Sequence, residues 1–254
     1  MHLRRIFLQK LSIMRELSIC LPSGTLLAAC SWGRPSSSHR VLALHGWMDN
    51  AATFTSLGPG IAHQCDCYVV AIDLPGHGRS ATGASPSGVY HYAEHVLAAA
   101  GALEALGWFD SDHGFSLLGH SMGGGVCTML AAAYTEFTRR LGLVEGLGPL
   151  SRPTSLMAKQ LRSSLDAVLK ESRGRGSRSR HYDTISAAAA ARVLSARRLP
   201  GTQYITEASA RVLAERGCEP IEAGRFRFSH DRRLALPSPV PFAAESNLLV
   251  DLIG

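Results

Sequence analysis

"FSLLGHSMGGG", Phe115 to Gly125, is the stretch on which the reading of the whole chain turns. Its first residues are apolar and run into a glycine, as a buried strand entering a tight turn does. Ser121 stands at the centre of G-x-S-x-G, with Gly119 and Gly123 on either side. A serine hydroxyl is a poor nucleophile at neutral pH, so it needs exposure to substrate, a general base and donors for a developing oxyanion. A strand that turns sharply into a helix supplies the exposure, and side chains at 119 and 123 would crowd such a turn. The helix expected to start at Met122 aims its backbone N–H groups at the reacting carbon, which makes the Met122 N–H the first expected oxyanion donor.

Two further loops strengthen this reading. "VLALHGWMDN" is a continuous apolar run ending in His45-Gly46, and a second oxyanion donor is expected at the Trp47 N–H. "CYVVAIDLPGHGRS" is another buried strand, stopped at Pro75-Gly76. Around them, strand-like and helix-like segments alternate. "RELSICLP" and "GTLLAACSW" read as a hairpin turning at Ser23-Gly24. A helix is expected over Ala51 to Ala62, interrupted by "GPG" at 58–60, and another over "YHYAEHVLAAAGALEALGW". "MGGGVCTMLAAAYTEFTRR" supplies the helix after the serine, and "LGLVEG" the next strand. Alternation of this kind implies βαβ units, hence an α/β fold with a mostly parallel sheet and helices on both faces. The three loops then lie together at the carboxyl ends of the strands, where open α/β sheets bind ligands.

The character changes after "GLGPLSRP", and residues 154–236 read as helices without buried strands. "DTISAAAAARVLSARR" starts from Asp183 or Thr184 as cap, and "TEASARVLAERG" ends at Gly217. The organisation expected is a leader or upstream extension over 1–13, a core over 14–150, a helical lid insertion over 151–237, and the start of a further core segment over 238–254.

Of the 254 residues, 46% are hydrophobic and 18% charged, enough for a buried core and no sign of global disorder. No apolar run is long enough for a transmembrane helix. The net charge of +6 draws on Arg4, Arg5 and Lys10, and on "KESRGRGSRSR" at 170–180. That second stretch lacks aromatic residues to stack bases, so it reads as a solvated loop and no nucleic-acid partner is expected. Residues 1–13 are basic and free of acids; a cytoplasmic protein with an upstream extension is the first reading, a mitochondrial leader the second. The six cysteines read as reduced thiols, and the C-x-C of "HQCDCY" lacks the second ligand pair of a metal site. No metal and no organic cofactor is expected.

"HGWMDN", "DLPGHGRS" and "GHSMGG", in that order, resemble the α/β-hydrolase superfamily, and specifically its serine hydrolase-like proteins; "SHDRRLALPS" at 229–238 resembles the segment that closes the lid insertion in those relatives. The resemblance covers about residues 16–254 and implies attack of Ser121 on an ester, thioester or similar acyl bond of a small-molecule substrate, through an acyl-enzyme. It also implies a triad whose acid and histidine follow the nucleophile, after strands beyond the lid. About sixty residues, with two strands and two helices, are then expected to be missing after the lid. Only His181 and His230 follow Ser121, both in the lid, and His120 on the elbow points away from it. Glu145, at the end of "LGLVEG", is the acid candidate, against the plain alternative that it orders the neighbouring loop. Two other readings stay open: an inactive shortened form of such a hydrolase, and a ligand-binding protein of the same fold. Oligomeric state is not readable.

Overall fold

The computed structural model describes residues 13–80, 89–110, 112–149, 151–174, 179–198, 204–238 and 242–243. Six strands form the main sheet: β1 (Arg15–Cys20), β2 (Leu26–Trp32), β3 (His39–Leu44), β4 (Cys67–Ile72), β5 (Phe115–His120) and β6 (Thr138–Val144), in spatial order β1-β2-β4-β3-β5-β6. β1 and β2 are the expected antiparallel hairpin, and β2 joins β4 antiparallel; β4, β3, β5 and β6 run parallel. The α/β expectation is met.

The central strands read as unbroken apolar runs because both of their faces are covered. Leu42 and Leu44 of β3, Val70 and Ile72 of β4, and Phe115 and Leu117 of β5 point to one side. There they meet α2 (Tyr92–Ala105), through Ala98, Ala99, Ala102 and Leu103, and α3 (Met122–Ala133), through Val126 and Leu130. Ala43, Val69 and Ala71 point to the other side, against Trp32, Phe54 and Ala62. Complete burial of a side chain such as Phe115 or Leu117 contributes about 1.5–3 kcal/mol.

Three local expectations are corrected. The helix read over 51–62 is two pieces, a 3-10 turn at Ala51–Phe54 and α1 (Gly58–Gln64). "GPG" opens α1 instead of interrupting it, because a proline in the first turn gives up only an N–H that has no helical partner. α3 stops at Ala133, and the Thr-Arg-Arg that seemed to extend it begins β6, a half-exposed strand at the border of the described sheet. The lid carries α4 (Met157–Ser172), α5 (Ile185–Ala196) and α6 (Glu207–Gly217), but also a small antiparallel pair, β8 (Cys218–Pro220) with β9 (Phe226–Phe228). Thr184 and Thr206 cap α5 and α6, each hydroxyl accepting from an N–H in the first turn. A short parallel pairing joins β7 (Ser151–Arg152) to β10 (Phe242–Ala243). Residues 1–12 and 244–254 lie outside the described residues.

Candidate active site

Ser121 sits between β5 and α3 with φ 51° and ψ −117°, a conformation that non-glycine residues rarely adopt. Close packing of backbone enforces it. A Cβ on Gly123 would collide with the Leu44 carbonyl oxygen, and one on Gly119 would come within 2.5 Å of the Gly123 carbonyl oxygen. Gly146, on the loop after β6, lies against the Ser121 backbone in the same way. Both glycines named from the sequence are therefore required sterically.

The loop after β3 is the elbow's neighbour. A Cβ on Gly46 would lie 2.9 Å from His120 Nδ1 and 3.3 Å from Ser121 Cβ, so the two turns touch. His45 anchors this loop: its Nδ1 lies 2.8 Å from the Gly46 carbonyl oxygen and its Nε2 accepts from the Leu74 N–H at 3.0 Å. That pairing calls for the Nδ1–H tautomer. Burial pulls His45 down to about 4, so the ring is neutral at pH 7. Met48 takes φ 63° immediately after Trp47. The backbone N–H groups of Trp47 and Met122 have no acceptor among the described residues, at the two positions named from the sequence. The Trp47 indole donates to the Leu234 carbonyl at 3.2 Å and so ties this loop to the lid.

Ser121 Oγ makes no hydrogen bond with any described residue. His120 turns away, its Nε2 lying 3.6 Å from Glu145 Oε2. Glu145, the acid candidate, has φ 53° and a largely exposed side chain. Both residues reach a cavity of about 360 Å³ whose other walls include Asp49, Thr53, Arg192 and Leu213. His230 is packed on Phe228 in the lid, with ring centroids 5.6 Å apart, and burial lowers its pKa. No three His, Cys, Asp or Glu side chains are grouped as a metal site among the described residues.

Sequence reasoning missed the charged groups that hold the lid down. Asp73, from "DLPGHGRS", is buried; its carboxylate accepts the Ala51 N–H at 2.6 Å, the Arg79 N–H at 2.8 Å and Arg216 Nη2 of α6 at 2.9 Å. Burial pushes Asp73 above its ordinary value, with Arg216 and the two N–H groups opposing. Arg216 also grips Glu16 of β1 at 2.6 Å, and Asp49 pairs with Arg192 of α5 at 2.7 Å. Behind the loop after β3, His45, His77 and His95 form a buried row, with centroids 5.0 and 5.6 Å apart. No local pattern announces partners so far apart in the chain; the Asp73 motif is the one signal, and the sequence alone marks it only as a loop at the carboxyl end of a buried strand.

Comparison with known proteins agrees with this fold. The family model described as the alpha/beta hydrolase fold matches residues 39–175. A serine hydrolase-like protein of Danio rerio is 33% identical over 223 residues, which are 87% of this chain and 63% of that protein. The chain thus spans less than two thirds of that relative's own length. Among solved structures, a hypothetical protein of Pseudomonas aeruginosa is 34% identical with a TM-score of 0.79, covering 94% of this chain and 77% of that one. The thioesterase domain from the curacin biosynthetic pathway is 25% identical with a TM-score of 0.70, covering 89% and 76%. With more than half of its length matched by the family model, the chain belongs to the α/β-hydrolase fold family, and it is similar to the serine hydrolase-like proteins.

Proposed function

We propose that this chain carries the nucleophile and oxyanion half of a serine hydrolase acting on an ester or thioester of a small molecule. The observation that carries the reading is the strained backbone of Ser121, beside the N–H groups of Trp47 and Met122, which have no acceptor among the described residues. A left-handed serine costs about 1–3 kcal/mol, and such strain persists only where the surroundings impose it. Under this reading Ser121 Oγ attacks the acyl carbon while its proton passes to a base. The carbonyl oxygen takes the developing negative charge against the N–H groups of Met122 and Trp47. The bond to the alcohol or thiol then breaks, the leaving group takes a proton, and water attacks the acyl-serine to release the acid and restore Ser121. Likeness to a thioesterase domain supports including thioesters. Glu145 is kept as acid candidate, its Oε2 lying 3.6 Å from His120 Nε2.

A fluorophosphonate probe tests this directly. Labelling of the wild type, lost in Ser121→Ala, is expected, together with loss of ester or thioester turnover in that variant. A second reading, an inert form of the fold, is favoured by one observation: Ser121 Oγ has no hydrogen-bonded imidazole among the described residues. Absence of labelling in a protein with a native far-UV spectrum would select it. Among the described residues, no helix is long and apolar enough to cross a membrane.

A further inference from the structure

The three lid helices differ in what they show to water. α5 and α6 bury alanines against each other, at Ala188, Ala189, Ala210 and Ala214. α4 instead leaves Leu161, Leu165 and Leu169 exposed at 43%, 50% and 51%. Single exposed leucines are ordinary, but three spaced by four residues make a continuous apolar stripe along one helix. The adjoining side of α4 faces the protein: Ser164 is buried, Gln160 Nε2 donates to the Ser238 carbonyl at 3.1 Å, and Glu171 pairs with Arg232 at 2.6 Å.

Charge says what fits the stripe. Positions 159, 162, 166, 170 and 173 recur every three or four residues and so share the face beside the leucines. They hold Lys159, Arg162, Lys170 and Arg173 against a single acid, Asp166. Asp166 is taken up by Arg162 at 2.9 Å. Lys159, Lys170 and Arg173 have no acidic partner among the described residues. Leucines bordered by cations on long aliphatic stems are the composition of a helix lying in a lipid interface, its apolar side among the acyl chains and its cations at the headgroups. Pairing with a second copy would set this cationic face against itself, which like-charge repulsion opposes. The chain's net charge of +6 adds attraction toward anionic surfaces.

We propose that α4 is a docking helix that seats the lid on an anionic phospholipid surface, with Leu161, Leu165 and Leu169 inserted and Lys159, Lys170 and Arg173 at the headgroups. This goes beyond the hydrolase reading and stands without it. The test is flotation of the full chain with vesicles of phosphatidylcholine containing about one third phosphatidylserine, beside vesicles of phosphatidylcholine alone. Binding to the anionic vesicles, weakened by salt, is expected. Replacing all three leucines by serine should lower it by about tenfold or more, and Lys159→Gln or Lys170→Gln by about fivefold each. Ser121→Ala should bind like the wild type, so a failed hydrolase reading and a failed docking reading give different results. The proposal is overturned if the wild type ignores anionic vesicles, or if the leucine variant binds undiminished, which would indicate a purely electrostatic polyanion site. It is equally overturned if the leucine variant converts a dimer to a monomer in sedimentation, since the stripe would then be a contact between copies.

Discussion

The loops after β4 and β5 flank β3 on the same edge of the sheet, yet they are held by opposite means. The elbow after β5 is built by leaving side chains out. Gly119, Gly123 and Gly146 let backbone lie on backbone, and the strain at Ser121 is imposed by steric exclusion. The loop after β4 is built around a buried carboxylate, with Asp73 gathering two backbone N–H groups and the Arg216 guanidinium. Ser121 is thus placed by shape, which pH and salt do not alter, and the lid is fastened by charge. Changes in size should damage the first and changes in charge the second.

The largest expected effect tests the second half of that contrast. Arg216→Met leaves Asp73 buried without its counter-ion and should cost about 3–5 kcal/mol in urea unfolding, part of it recovered when Asp73→Asn is added. A cost below about 1 kcal/mol would mean that charge does not fasten the lid. Next, Gly123→Ala forces a methyl against the Leu44 carbonyl and should cost about 3 kcal/mol, with loss of probe labelling. Acid should act through the buried histidines. With His45 pulled down to about 4 from an ordinary 6.5, the unfolded chain takes up a proton that the folded chain refuses. Stability is therefore lost as pH falls from about 6.5 to about 4, and His45 alone accounts for about 2 kcal/mol by pH 5. Burial lowers His77 and His95 in the same direction. Asp73 works the other way, since burial holds it above 3.8 and its protonation in acid relieves a cost. A Tm that stayed flat between pH 7 and 5 would contradict the buried row. The smallest effect has the opposite sign. Ser121→Gly releases the positive-φ strain and should raise stability by about 1 kcal/mol while abolishing labelling.

These two loops also differ in how far they could be read from residues alone. The elbow was legible because its requirements are local: a nucleophile and its glycines must fall within a few residues of one another. β3, β4 and β5 were legible because burial on both faces leaves an uninterrupted apolar run. β6 was read only in part, since its half-exposed start, Thr138 to Arg140, has the polarity of a helix end. "GPG" misled because proline both breaks helices and begins them, and only its place in the first turn decides which. The fastening of Asp73 was not legible, for its partners lie 143 positions along in Arg216 and, through that arginine, 57 positions back in Glu16.

That separation bears on the order of events during synthesis. Glu16 and Asp73 leave the ribosome early, but Arg216 follows Asp73 by 143 residues, on the order of ten seconds of translation. Through that interval the nascent sheet can pair β1 to β6, but closing the loop over Asp73 would enclose an uncompensated charge. The final compaction of the first half of the chain must therefore wait for α6. A ribosome-bound chain arrested before Arg216 emerges should remain open to proteases at the loop after β4, and one arrested well after it should be closed there.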